Sequence, residues 1–219
     1  MHHFIPHTIF GNTFLLSSQR CVFWEEEKIL ILSDLHLGKT GHFRKSGIAI
    51  PQAVFKEDMQ RFISLLQFFK PKQVVIVGDL FHSVDNKEHD LFIRWRKDIL
   101  QYPIALVKGN HDILEREWYE QAAITVVEEQ LSIGAFIFAH DITKDISSGT
   151  SYIFSGHIHP CIVISGKAKQ ALRFPCFYFG SQYAVLPAFG RFTGMHAITS
   201  KKNENVFAIV ENKILPVVN

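Results

Sequence analysis

Five places in the chain set metal-type side chains at the end of a short apolar run. Residues 29–39 read ILILSDLHLGK, where four apolar residues stop at Ser33 and give way to Asp34, Leu35 and His36. Residues 74–77 end in Gly78-Asp79, and residues 104–107 in Lys108-Gly109-Asn110-His111-Asp112. Residues 136–139 end in His140, and residues 152–154 in Ser155-Gly156-His157-Ile158-His159. An apolar run closed by polar residues reads as a buried strand delivering side chains to a sheet edge. In extended chain, residues two apart share a face, which would aim Asp34 and His36 at one point. A lone His after a strand is more often a hydrogen-bonded structural residue, and Gly-Asp is a common turn. Five such tips in one chain outweigh that reading, because open α/β sheets bind ligands at the carboxyl ends of their strands.

The donors are too many for one ion with an open catalytic position. Hard oxygen mixed with imidazole suits manganese, iron or zinc. Two ions fit the number, with one carboxylate bridging, and a pair roughly 3.5–4 Å apart can clamp both the attacking and the leaving oxygen of a displacement at phosphorus. Asn110 and His111 are neighbours, so one can ligate while the other faces the substrate. A histidine just off the metals can protonate a leaving alkoxide.

The elements that must position these residues follow from periodicity. Short strands are expected at 8–10, 14–16, 22–24 and 28–32, with Gly11-Asn12 as a turn. A glycine-punctuated loop over 38–50 carries Lys39, His42, Arg44 and Lys45. Pro51 suits the first position of a helix whose apolar stripe is Phe55, Met59, Phe62, Leu66 and Phe69, stopped by Lys70-Pro71. Strands at 74–77, 104–107 and 124–127 alternate with helices over about 87–100 and 113–121. After Pro160 the pattern is all β, at 162–164, 172–179, 195–199 and 206–210. Helices early and strands late suggest an α/β fold of two packed mixed β-sheets, with helices on their outer faces. No linker, repeat or low-complexity stretch divides the chain, so residues 1–219 read as a single domain.

Composition agrees with an ordinary globular chain. Of its 219 residues 47% are hydrophobic and 20% charged, which excludes disorder as the default. Net charge is +2, but the charges are segregated. No acid falls between Asp145 and Glu204, nor between Asp34 and Glu57, while both stretches carry lysine and arginine. Such segregation can build a positive field suited to an anionic substrate. Three widely spaced cysteines, Cys21, Cys161 and Cys176, suggest neither a disulfide framework nor a zinc ribbon. The first residues do not read as a signal peptide and no apolar run approaches membrane-spanning length, so the expectation is a cytoplasmic protein without membrane association. The oligomeric state is unknown from sequence.

The ordered set DLH, GD, GNHD, H and GHIH, from about Ile29 to His159, resembles the calcineurin-like metallophosphoesterases. The resemblance implies a four-layer αββα sandwich with a dinuclear centre. The first metal would be held by Asp34, His36, Asp79 and His159, and the second by Asp79 as bridge with Asn110, His140 and His157. His111 would be the general acid, oriented by Asp112, with a metal-bridging hydroxide as nucleophile. The cofactors implied are two divalent ions, manganese first, with iron, zinc or magnesium as alternatives. Phe-Ala-His-Asp departs from the pattern of many relatives in lacking a glycine beside His140. Over nearly the whole chain, SDLHLGKTGHFRKSGIAIP, GDLFHS, PCFYFG and LPAFGRFTG are similar to bacterial ligase-associated DNA-damage-response endonucleases. That likeness implies phosphodiester cleavage in DNA and functional association with a ligase, a helicase and an exonuclease.

Smaller features add to this reading. Lys39, His42, Arg44 and Lys45 sit just past the first tip and are candidates for contacting nucleic-acid phosphates. His82 is expected at the rim in a capping or surface role, and Cys161 packed in a strand. Of twenty phenylalanines only Phe43 and Phe81 lie where a base could stack. Alternatives are a small-molecule phosphoesterase, such as a nucleotide pyrophosphatase or cyclic-nucleotide phosphodiesterase, and a non-catalytic metal-binding scaffold.

Overall fold

The computed structural model describes residues 3–37, 53–81, 88–143, 149–165, 171–199 and 201–217. Its architecture follows from strands that are apolar on both faces. In β4 (Ile29–Ser33), Leu30 and Leu32 enter one hydrophobic cluster while Ile29 and Ile31 enter another. In β5 (Gln73–Val77), Val74 and Ile76 face the first cluster, Val75 and Val77 the second. Continuous apolar runs of this kind mark strands covered on both sides.

The first sheet runs in sequence order from β1 (Phe4–Ile9) through β2 (Asn12–Ser17), β3 (Cys21–Trp24), β4, β5 and β6 (Ile104–Val107) to β7 (Ile124–Val127). Its first four strands pair antiparallel, as hairpin connections dictate, and β4 to β7 pair parallel. The parallel half is joined through helices α1 (Ala53–Phe69), α2 (Glu88–Lys97) and α3 (Arg116–Gln121), as parallel crossovers require. Helix α1 forms because Phe55, Met59, Phe62 and Leu66 recur on one face; all four are buried in the first cluster. Phe92 of α2 and Tyr119 of α3 join them. The helices thus seal one side of this sheet.

The second cluster lies between the sheets. Phe14, Trp24 and Val77 from the first meet Phe136, Phe154 and Phe179 from the second. The second sheet is mixed as well, ordered β14 (His196–Ala197), β11 (Pro160–Ser165), β12 (Ala171–Phe179), β13 (Tyr183–Val185), β10 (Tyr152–Ser155), β9 (Phe136–Ala139) and β8 (Gln130–Ile133). Strands β15 (Asn205–Val210) and β16 (Lys213–Val217) extend it from β12. An α/β fold with two packed mixed sheets is therefore present. Among the described residues all three helices cover the first sheet.

Several boundaries differ from expectation for local reasons. Ile113, read as the start of a helix, is 60% exposed, and the helix begins only after the Glu115 cap. Strands β8, β13 and β16 are only four, three and five residues long, too short for a period to announce them. No described helix is long and apolar enough to cross a membrane.

Candidate metal centre

Parallel strands β4, β5 and β6 present their carboxyl ends on one side. The parallel pair β9 and β10 brings its own ends to them from the second sheet, with the Gly156 amide bonded to the His140 carbonyl at 3.1 Å. The tips are not extended. The strand ends at Ser33, and Asp34 (φ 50) and His36 (φ 45) both adopt the left-handed conformation. Asp79 (φ 53), His157 (φ 65) and His159 (φ 52) do the same. The expected reason for convergence, alternation along a strand, is thus replaced: these side chains meet because the backbone turns sharply after each strand. Asp34 and His36 still pair with the neighbouring tip, their amides donating to the Gly78 and Asp79 carbonyls at 3.1 and 2.9 Å.

Two donor groups result. Asp34, His36 and His159 place ligand atoms within 4.8 Å of one another, and so do Asp79, His140 and His157. In the first group His36 Nε2 stands 3.2 Å from His159 Nε2, which lies 3.2 Å from Asp34 Oδ1. In the second, His140 Nε2 is 3.2 Å from His157 Nδ1 and 3.2 Å from Asn110 Oδ1. Asp79 Oδ2 looks both ways, 3.7 Å from His36 Nε2 and 3.5 Å from His140 Nε2. Donors sharing one ion at about 2.0–2.2 Å stand about 3.0–3.6 Å from each other, so both groups fit divalent ions. Facing imidazole nitrogens repel unless a proton or a cation lies between them. The mixed nitrogen and carboxylate set supplies donors for manganese, iron or zinc alike.

Charge agrees. Burial pulls the His140 imidazolium down, but the Asp79 and Asp34 carboxylates outweigh it and hold its pKa up at about 9. Burial would raise Asp79, yet His140 and the His111 amide bring it down to about 2. A site that holds a proton this firmly against two carboxylates is a site that attracts positive charge.

A family model for calcineurin-like phosphoesterases matches residues 27–157, more than half of the chain and every tip up to His157. The chain belongs to the calcineurin-like phosphoesterases. It is a metal-dependent hydrolase of phosphate esters. Among solved structures, nuclease MPE of Pseudomonas putida superposes with a TM-score of 0.83 at 26% identity, covering 98% of this chain and 100% of that one. Yfce, a phosphoesterase from E. coli, gives a TM-score of 0.44 at 12% identity over 84% of this chain and 88% of the other. No curated protein sequence gives a match.

The phosphoesterase holds its tips together with residues whose part the sequence did not disclose. Asp112 was expected to orient His111. Its carboxylate, fully buried, accepts from backbone amides of Asp79, Leu80 and Gly109 at 2.8, 2.9 and 2.9 Å. It ties the Asp79 tip to the Asn110-His111 tip through the main chain. Burial and the Asp79 charge push its pKa up to about 6, against the pull of those amides. Ser33 Oγ bonds Asp34 Oδ2 and the Val77 carbonyl. The Phe189 and Gly190 amides donate to the Ser33 and Asp34 carbonyls at 2.7 and 3.1 Å, which places the LPAFGRFTG stretch directly behind the first tip. Glycines let these segments approach: a Cβ on Gly109 would lie 2.5 Å from the Asp79 amide nitrogen, and one on Gly78 would strike the His140 ring.

His111 is half-buried beside the first group, its ring centroid 5.4 Å from that of His36, and its amide donates to Asp79 Oδ1 at 2.9 Å. Asn110 and His157 are exposed to the crevice. Phe81, offered as a stacking platform, is instead core: it is 1% exposed and packs against His89, Phe92 and Trp118. Loop position alone could not show that it points inward. Cys161 is buried in β11, as its strand position suggested. Lys39, His42, Phe43, Arg44, Lys45 and His82 lie outside the described residues.

Proposed function

We propose that this phosphoesterase cleaves phosphodiester bonds in DNA, as an endonuclease of repair. The observation that carries the reading is the pair of donor groups sharing Asp79 Oδ2 at 3.7 and 3.5 Å. The full-length similarity to a nuclease supports a polynucleotide as substrate. Asp34, His36, Asp79 and His159 would hold one divalent ion, and Asp79, Asn110, His140 and His157 the other, with manganese the first choice. Two such ions, when bound, polarise the phosphoryl oxygens and supply an activated water at neutral pH.

The chain's own residues do the rest. Asp79, whose carboxylate faces both donor groups, would help to hold both ions. Asp112 fixes that carboxylate by holding the Asp79 amide. His111 lies beside the first group, where an imidazolium can give its proton to the leaving oxygen. Lys39, His42, Arg44 and Lys45 would contact phosphates of the strand. The resemblance to ligase-associated endonucleases supports a cytoplasmic enzyme working beside a DNA ligase, a helicase and an exonuclease.

Metal-reconstituted protein is tested side by side on an aryl phosphodiester, an aryl monophosphate and DNA. Turnover of the diester and of DNA is expected; turnover confined to the monoester overturns the reading. A His111→Ala protein is expected to keep both metals and lose about 10²–10⁴-fold in kcat. Wild-type turnover in that variant would remove His111 from the chemistry.

A further inference from the structure

Beside the segment that backs the first tip, the described residues line an open polar cleft of about 470 Å³. Ser18, Arg20, Arg61 and Arg191 line it, with Glu211 and Asn212 at the exposed rim. We propose that this cleft is a second anion site, built for a phosphate-type oxyanion and separate from the metal centre. It does not depend on which ester the metal centre cleaves.

Three arginines gather here around one buried carboxylate. Arg61 is 9% exposed and pairs with Asp58 at 2.8 Å. The charges of Arg20 and Arg191 both act on Arg61, and that of Arg191 acts on Arg20. Arg191 also reaches Glu57, but at 3.8 Å and with both side chains half exposed, a contact of little strength. The buried Asp58 supplies one negative charge against three positive ones, so an anion in the cleft would offset the repulsion left over.

Part of this cluster has a structural task. Arg20 Nη1 donates to the Gly190 and Ala188 carbonyls at 3.1 and 3.4 Å, and Arg61 Nη2 donates to the Phe189 carbonyl. Those bonds hold the segment that backs the Asp34 tip. They leave Arg61 Nε and Ser18 Oγ, both buried beneath the cleft surface, without a hydrogen-bond partner among the described residues. Buried donors left unpaired are rare and call for a missing partner. A tetrahedral oxyanion accepts from several such donors at once, and guanidinium forks match it.

The source of the anion is either free phosphate or a phosphate of a polynucleotide. Inorganic phosphate is titrated calorimetrically into the metal-loaded full chain, wild type and a Ser18→Ala/Arg191→Gln variant. The two changes remove a hydroxyl and an exposed guanidinium, leaving the carbonyl bonds of Arg20 and Arg61 in place. Wild type should show a class of phosphate sites that the variant lacks or binds about tenfold or more weakly, with turnover of an aryl phosphodiester unchanged. In a second arm, salt slopes of DNA binding are compared. A slope shallower by about 0.7–0.9 in the variant identifies the anion as a strand phosphate. Lost phosphate binding with an unaltered slope identifies it as a free anion. Equal phosphate affinity and equal slopes in the two proteins overturn the proposal. Monoester-only turnover would defeat the diesterase reading and leave this result standing.

Discussion

Gly156 tests whether close backbone approach is what assembles the site. It lies between β10 and the two histidines His157 and His159, and its φ is not in the left-handed range, so a side chain there meets only a steric obstacle. A Cβ at this position would overlap Ser33 Oγ and would lie 2.5 Å from Asp34 Oδ2 and 3.0 Å from the Val77 carbonyl oxygen. Ordinary contact needs about 3.5 Å, so Asp34 must retreat by about 1 Å or the β10 tip must lift away. Ser33 cannot simply rotate aside, because its hydroxyl is fully buried and bonded to Asp34 and Val77. Overpacking of this kind costs about 1–3 kcal/mol, a fall in melting temperature of about 2–12 °C at this chain length. Activity should fall further than stability. The displaced groups are the Asp34 carboxylate and the His157 amide that bonds it at 3.0 Å, and a misplacement of about 1 Å in a catalytic constellation costs about 100-fold. Gly156→Ala is therefore expected to fold, to bind the metal of the first group weakly and to lose about two orders of magnitude in turnover. Gly134→Ala is the control: its Cβ meets nothing within 4 Å but its φ is +56, so it should lose about 1 kcal/mol of stability with metal binding and turnover intact. Thermal melts, calorimetric metal titration and aryl phosphodiester turnover measure all three quantities. Wild-type metal stoichiometry and turnover in Gly156→Ala would refute the reasoning.

Asp79→Asn keeps the shape of the shared ligand and removes its charge, so occupancy of both groups should fall together and turnover by at least about 100-fold; elemental analysis showing loss of one ion alone would contradict a shared carboxylate. Asp112→Ala orphans three backbone amides, two buried and one part-buried, and is expected to lower unfolding free energy by about 3 kcal/mol or more, read from urea midpoints. Burial pushes the Cys21 and Cys176 thiols up to about 12. At pH 8 their thiolate fraction is then about 10³-fold below that of an unfolded thiol, so thiol-reagent counts should rise only on adding denaturant. Because the folded pKa lies above the unfolded one, the stability these thiols contribute is present below about pH 8.5 and is lost as pH rises toward 12.

The strands carrying the donor residues were legible because each is an uninterrupted apolar run ending in a polar cluster, as at Leu32-Ser33-Asp34. The parallel order of β4 to β7 followed from helices between them, of which α1 shows its stripe from Phe55 to Leu66 plainly. Less legible were elements defined by partners rather than by period. Strand β16 alternates weakly and is held by pairing with β15, as at Ile214 against Ile209. Phe81 was misjudged because sequence places a residue near a site without showing which way its side chain turns, and this one points into the core. Arg20 gave no local signal, since its partner Gly190 lies well over a hundred residues away, and the local Asp58 pairing of Arg61 does not disclose its distant partner Phe189.

The left-handed tips explain why this centre needs the whole fold. Asp34, His36, Asp79, His157 and His159 are five of twelve non-glycine residues at positive φ among the described residues. Each such residue costs about 1–2 kcal/mol relative to extended or helical backbone. Together they oppose folding by about 5–10 kcal/mol, comparable with the entire stability of an ordinary domain. A strand continued straight past Ser33 or Ser155 would send alternate side chains to opposite faces, and the two sheets could not aim five ligands into one crevice. The offset comes from what surrounds the tips: the Asp112 carboxylate on three amides, the Asp34 carboxylate on the His157 amide, and the apolar layers beneath β4, β5 and β10. Two divalent ions bound only in the native state would add to that offset by mass action. The site is therefore strained by its own geometry and held by residues that never touch substrate, which is why Asp112, Ser33 and Gly156 should govern activity as firmly as the ligands themselves.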